Sequence, residues 1–192
     1  MGMGIAIPKP MSAEEFYEWG NRPENRDRFC ELERGQIIDV PRPGKRHGFV
    51  CANVAGILGN FAVTRKKGYV CSNGTGVIVE RNPDTVRGTD VLFFEDAQRL
   101  ELVEQGYGEE WPLLVVEVLS AYGRGWVDRR VSEFLRRGVP LVWVVDPKGR
   151  TVTVFRRGKD LHVREEMDDL TGEDVLHAFR CRVAEFFALP GA

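Results

Sequence analysis

The chain has 192 residues, a formal net charge of −2, 43% apolar residues and 29% charged residues. That size suits one domain with a sizeable core and a solvated surface. The near-balanced charge excludes global attraction to nucleic acid or to an anionic membrane, so any phosphate contact has to come from a local basic patch.

Arginine outnumbers lysine 21 to 6, which leaves few candidates for chemistry that needs a lysine. Cys30, Cys51, Cys71 and Cys181 form no CxxC pair and stand near no histidine cluster, which argues against a zinc site and against a disulfide framework. The opening MGMGIAIPKP lacks a secretory apolar stretch, and no apolar run approaches membrane-spanning length. The expectation is a reduced cytoplasmic protein with no membrane partner.

In chain order, Ser12 with Glu15 reads as a capping box for a short helix through Trp19. A polar connection, 21–28, leads to a strand, a turn at Arg34-Gly35 and a second strand over 30–39. Residues 41–46 (PRPGKR) are a loop by composition. Val50, Val54, Ile57, Leu58 and Phe61 recur with a helical period, which predicts a helix over 47–64. Strand material follows at 69–70 and 76–79, then a loop at 81–87 and a strand at 89–94 (TDVLFF).

The near-continuous apolar run 111–120 (WPLLVVEVLS) predicts a strand buried on both faces. A helix over 127–137 ends at Gly138, and two β-rich runs, 142–146 and 151–155, form a hairpin across Pro147-Lys148-Gly149-Arg150. A short closing helix is expected over 183–187. This order of elements predicts an α/β fold, a central mixed sheet with helices on its faces. It also sets a single domain over 12–188 between tails at 1–11 and 189–192.

Three acids stand where acids are costly. Glu117 lies inside LLVVEVLS, Asp90 opens TDVLFF and Glu31 begins a strand. An ionised carboxylate cannot be buried without a cation or a proton to answer it. Three acids converging at one sheet edge would offer a hard cation the oxygen ligands it prefers. Ordinary roles account for the same residues: a turn cap for Asp90, a solvent-facing edge position for Glu31, and for Glu117 an ion pair with an arginine from the following helix.

VVEVLS, followed by a helix and RRGVPLVWVVDPKGRTVTVFRRG, resembles the Uma-type restriction endonuclease family within the PD-(D/E)XK nuclease superfamily. CELERGQII, TDVLFF and LHAFRCRVAEFF match weaker segments in the same order, so the resemblance runs from about residue 12 to about residue 188. It implies a restriction-endonuclease-like fold and Mg²⁺-dependent (or Mn²⁺-dependent) hydrolysis of a DNA phosphodiester. Asp90 and Glu117 would be metal ligands, with Glu31 the acid that completes the site. A homodimer is implied too, since cutting two strands suits two sites.

Two departures stand out. Thr89 replaces the proline that usually precedes Asp90. The lysine expected two residues after Glu117 is Leu119, and the family's alternative position, eight residues before Gly138, holds Arg130. Arginine keeps the charge and can bind bidentately, but it does not release a proton near neutral pH. Arg130 in contact with Glu117, joined by Arg129 and Asp128, would make an internal ion network in place of a metal site.

Lys45, Arg46 and His47 are candidate contacts to a nucleic-acid backbone, although a surface histidine at a helix start is the commoner case. Tyr122 and Trp126 flank a Gly-Arg-Gly segment placed to cover the site. Three functions remain open: a metal-dependent DNA endonuclease, a nuclease-fold module that binds nucleic acid or protein without cleavage, and a phosphodiesterase acting on another nucleic acid.

Overall fold

The computed structural model describes residues 9–95, 106–108, 110–120 and 124–189. The predicted capping box is present: Ser12 Oγ accepts from Glu15 N–H (3.1 Å), and the Glu15 carboxylate accepts from Ser12 N–H (2.8 Å). It starts α1 (Ala13–Gly20). The strands β1 (Cys30–Glu33) and β2 (Gln36–Asp39) form a hairpin whose two turn residues, Arg34 and Gly35, have φ of 49° and 75°. A two-residue turn needs this left-handed backbone to match the strand twist. At Gly35 there is a second reason for glycine, because a Cβ there would lie 2.3 Å from Pro10 Cβ.

The helix α2 (Lys45–Arg65) follows, then β3 (Tyr69–Glu80), β4 (Thr85–Phe94) and β5 (Leu114–Val118). The chain continues through α3 (Arg124–Arg137), β6 (Leu141–Asp146), β7 (Thr151–Arg156) and β8 (His162–Arg164). A separate hairpin, β9 (Asp169–Gly172) with β10 (Leu176–Arg182), ends in a 3₁₀ turn over Val183–Phe187. The main sheet runs β2-β1-β4-β5-β6-β7-β8, with β3 paired to the other edge of β4. All of its pairings are antiparallel except β5–β6, the pair joined by the α3 crossover.

Both faces of the sheet are covered. On β5 and β6 the side chains alternate: Leu114, Val116, Val118, Leu141, Trp143 and Val145 pack with α2 and the 3₁₀ turn, while Val115, Val142 and Val144 pack under α3. Glu117 shares the period-2 face of Val115, so it is delivered to the α3 side. On α3, Val127, Val131 and Phe134 are buried at helical spacing. Arg130 lies within that stripe, and burial of the stripe carries the guanidinium inward with it.

Several expectations needed correction. Residues 81–87 are not all loop, because β4 begins at Thr85 and Arg87 is a strand residue. The 183–187 segment is a 3₁₀ turn, and the hairpin before it and β8 had no clear periodicity of their own. By length and composition α2 is apolar enough to cross a membrane. Its Val50, Val54, Leu58 and Ala62 are instead buried in the core against the sheet. Tyr122 and Gly123 of the covering segment lie outside the described residues.

Candidate active site at a gap in the sheet

The position of the site follows from how β4 is shared. One edge of β4 pairs with β3 along most of its length, while the other pairs with β1 near one end (Leu32 with Val86) and with β5 near the other (Val91 with Val116). Between those two pairings, residues 87–90 have no strand partner on that edge among the described residues. A gap of this kind exposes backbone donors and acceptors that something must satisfy. Gly88 N–H donates to Glu31 Oε1 (2.9 Å), and Gly88 C=O accepts from Arg130 Nη2. Asp90 Oδ2 accepts from the Val118 N–H of β5 (2.7 Å).

Arg130 holds the centre. Its Nε and Nη2 donate to the two oxygens of Glu117 (3.0 and 3.1 Å), and Nη1 donates to Glu31 Oε1 (2.7 Å). The guanidinium lies 4.4 Å from the Trp126 ring centre and is only 2% exposed. A second layer surrounds it. Arg87 binds Glu133 bidentately (2.8 and 3.0 Å) and reaches Glu31 and Glu33 (3.3 Å each), while Arg129 joins Glu33 (2.6 Å) to Glu133 (3.2 Å). Four carboxylates thus face three guanidiniums. Asp128 is exposed and stays outside this network.

Burial works against charge on Arg130, but Glu117 and Glu31 outweigh it and hold its pKa above the ordinary arginine value. Burial pushes the Glu117 carboxyl up to about 7, with Asp90 and Glu31 adding to the rise and Arg130 opposing it. The bidentate geometry is that of the ionised carboxylate, since a protonated oxygen would present a second donor to the guanidinium.

The other side of the gap is built differently. His47 Nε2 stands 3.2 Å from Asp90 Oδ2, and its Nδ1 stands 3.4 Å from Cys51 Sγ. His47 is therefore half-buried against β4, a correction to the expectation of a surface residue. Burial disfavours its charged form, but Asp90 and then Glu117 prevail and raise its pKa. Lys45 and Arg46 are exposed in the first turn of α2, which contains no acid and whose Gly44 cap offers no side-chain acceptor. Thr89, in the place of the expected proline, donates to Thr75 C=O (2.9 Å) and ties β4 to the irregular stretch of β3.

The gap thus brings Glu31, Asp90, Glu117, Arg130 and His47 together from β1, β4, β5, α3 and α2. Sequence reasoning missed Arg87, Glu33 and Glu133. Glu33 stands two residues after Glu31 and so shares its strand face, a signal that was available; Arg87 was hidden by the loop-like composition around it.

A hard dication on Asp90 and Glu117 does not fit this arrangement. Both Glu117 oxygens already accept from Arg130, and a fixed positive charge lies between Glu117 and Glu31.

A split sheet with acids converging from three strands, two of them buried, backed by a crossover helix, defines a nuclease-like α/β domain. The family model described as "Putative restriction endonuclease" (Uma2) matches residues 13–184, and the chain belongs to that family. Its structure is similar to the crystal structure of "a putative nuclease belonging to DUF820" from Anabaena variabilis ATCC 29413. The TM-score is 0.73 at 19% identity, over 93% of this chain and 98% of that one. Comparison with curated proteins gives no match. The family points to a nuclease, to DNA as substrate and to use of a divalent metal.

Proposed function

We propose that this chain is a DNA-directed member of the nuclease family in which Arg130 closes the hydrolytic centre, so that it binds DNA without Mg²⁺-dependent cleavage. The observation that carries this reading is the bidentate Arg130–Glu117 pair, locked further by Glu31 and Gly88 C=O. Lysine would place one compact charge there and could exchange a proton; arginine fills the space with a permanent planar cation. DNA contact is supported by the first turn of α2, where backbone N–H groups without a side-chain cap, Lys45 and Arg46 favour a phosphate. Homodimerisation, which would set two such surfaces on one duplex, belongs to the same reading.

The second reading is an active endonuclease with Mg²⁺ or Mn²⁺ on Asp90 and Glu117, Glu31 as the supporting acid and Arg130 in the lysine's role. It is favoured by Asp90, whose side chain is 22% exposed against 5% for Glu31 and 3% for Glu117. That reading requires Arg130 to release Glu117.

The test compares the parent with Arg130→Lys, measuring DNA binding by fluorescence anisotropy and cleavage of plasmid and linear DNA in Mg²⁺ and in Mn²⁺. The expected result is DNA binding by both proteins, with cleavage by Arg130→Lys faster than the parent by about 100-fold, the low end for a positioned proton-transfer group. Cleavage by the parent at the same rate as Arg130→Lys would establish the second reading. Failure of the parent to bind DNA would overturn the first.

A further inference from the structure

We infer that His47, Cys51 and Asp90 form a binding site for a borderline transition-metal dication, Zn²⁺ foremost, which shares Asp90 with the Asp90–Glu117 pair that the family resemblance assigns to Mg²⁺ but differs from it in donor set and lies on the α2 side of the gap. The inference goes beyond the proposed function and does not depend on whether the chain cleaves DNA.

One imidazole nitrogen, the thiol sulfur and one carboxylate oxygen all lie within 4.8 Å of one another. His47 and Cys51 are four residues apart on α2, which puts them on one face of the helix, one turn apart. Asp90 comes from β4 and is oriented by the Val118 N–H. Cys51 Sγ lies 3.4 Å from His47 Nδ1 and Asp90 Oδ2 lies 3.2 Å from Nε2; a single ion binds one of these nitrogens, and on a tetrahedral Zn²⁺ ion a sulfur and a nitrogen ligand stand about 3.5 Å apart, given Zn–S and Zn–N bonds of about 2.3 and 2.0–2.1 Å. Metal binding therefore requires a rotation of the His47 or Cys51 side chain that brings both partners to the same ring nitrogen.

The donor set decides the metal. A nitrogen, a sulfur and an oxygen suit Zn²⁺ and Co²⁺ and do not suit Mg²⁺, which wants oxygen throughout. The charge also matches. Arg130 has already neutralised Glu117, so Asp90 and a Cys51 thiolate would present two negative charges to a dication. Without an ion, burial and the nearby Asp90 and Glu117 carboxylates keep the thiol protonated, pushing its pKa up. Three protein ligands leave a fourth position for water or for an oxygen of a bound phosphate. The cysteine spacing hid this site, because the metal-binding pattern is a helical His-Cys pair completed by a strand 39 residues further on, not a CxxC.

The test is a Co²⁺ titration of the full chain followed by absorption spectroscopy. The expected result is one Co²⁺ per chain with a sulfur-to-metal charge-transfer band in the near ultraviolet. Stoichiometric Zn²⁺ should displace the ion, and a large excess of Mg²⁺ should not. Cys51→Ser should abolish the band, and a chain carrying Cys30→Ser, Cys71→Ser and Cys181→Ser should retain it. His47→Gln should weaken Co²⁺ by at least about tenfold, which gives a second reading if Cys51→Ser folds poorly. A band that survives Cys51→Ser, or no band in the parent, overturns the inference. Arg130→Lys should keep the band whatever its effect on DNA cleavage, so failure here and failure of the proposed function are distinguishable.

Discussion

The two sides of the sheet gap handle buried charge in opposite ways. On the α3 side, Glu31, Glu33, Glu117 and Glu133 meet Arg87, Arg129 and Arg130, and every guanidinium is engaged by carboxylates. On the α2 side, Asp90 meets one half-buried histidine and a neutral thiol next to an exposed basic helix start. The first side has the chemistry of a structural lock, the second that of a site able to receive a ligand. On the proposed reading, the family motif keeps its acids in place while a neighbouring side chain supplies the cation that an ion would otherwise supply.

The largest expected effect comes from opening the lock. Arg130→Met strands Glu31 and Glu117 in the core and is expected to lower unfolding stability by about 3–5 kcal/mol. The effect should appear as a lower urea midpoint at unchanged slope. Mg²⁺ should then raise the melting temperature of this variant and leave the parent unaffected. A loss under about 1 kcal/mol would show the two sides to be alike after all.

Glu117→Gln keeps the shape but removes the charge from one end of the pair. The expected loss is about 1.5–3 kcal/mol, the scale of a hydrogen bond to a charged group, measured in the same denaturation series. A stability gain would mean that the carboxyl is protonated in the native chain.

Acid should loosen the α3 side before the core fails. Arg129 first of all holds the Glu33 carboxyl below its ordinary value; burial opposes the charge on Glu133, and Arg87 overrides it, again downward. A folded pKa below the unfolded one contributes stability that is present above about pH 4.3 and lost as pH falls through the folded value. The melting temperature should therefore drop as pH falls below that point, and Glu33→Gln with Glu133→Gln should flatten the drop. An unchanged slope in the double variant would remove these two acids from the account.

The smallest effect is expected at the α2 start. Lys45→Ala and Arg46→Ala should leave stability within about 0.5 kcal/mol and each reduce the salt dependence of DNA binding by about one phosphate contact. If both slopes match the parent, DNA does not approach from this side.

Much of this was legible in the residues. The capping box at Ser12, the turn at Arg34-Gly35, the doubly buried β5 and the helix stop at Gly138 depend on neighbours a few positions away, so local rules reach them. Glu117 announced itself as a charge in an apolar run, and Arg130 followed from its offset to Gly138. By contrast, β8 and β9 are short strands whose burial pattern comes from what they pack on, and Arg87 has no local mark of burial.

By itself, then, the sequence determined the α/β order of elements, the family and the set of acids that would need an answer, because hydrophobic period and turn chemistry are local properties. Only the tertiary structure decided which cation answers them. Pairing β1 and β5 to opposite ends of the same edge of β4 opens the gap, and the buried stripe of α3 delivers Arg130 into it. Low solvent exposure then makes Coulomb attraction strong enough to hold that arginine between Glu31 and Glu117.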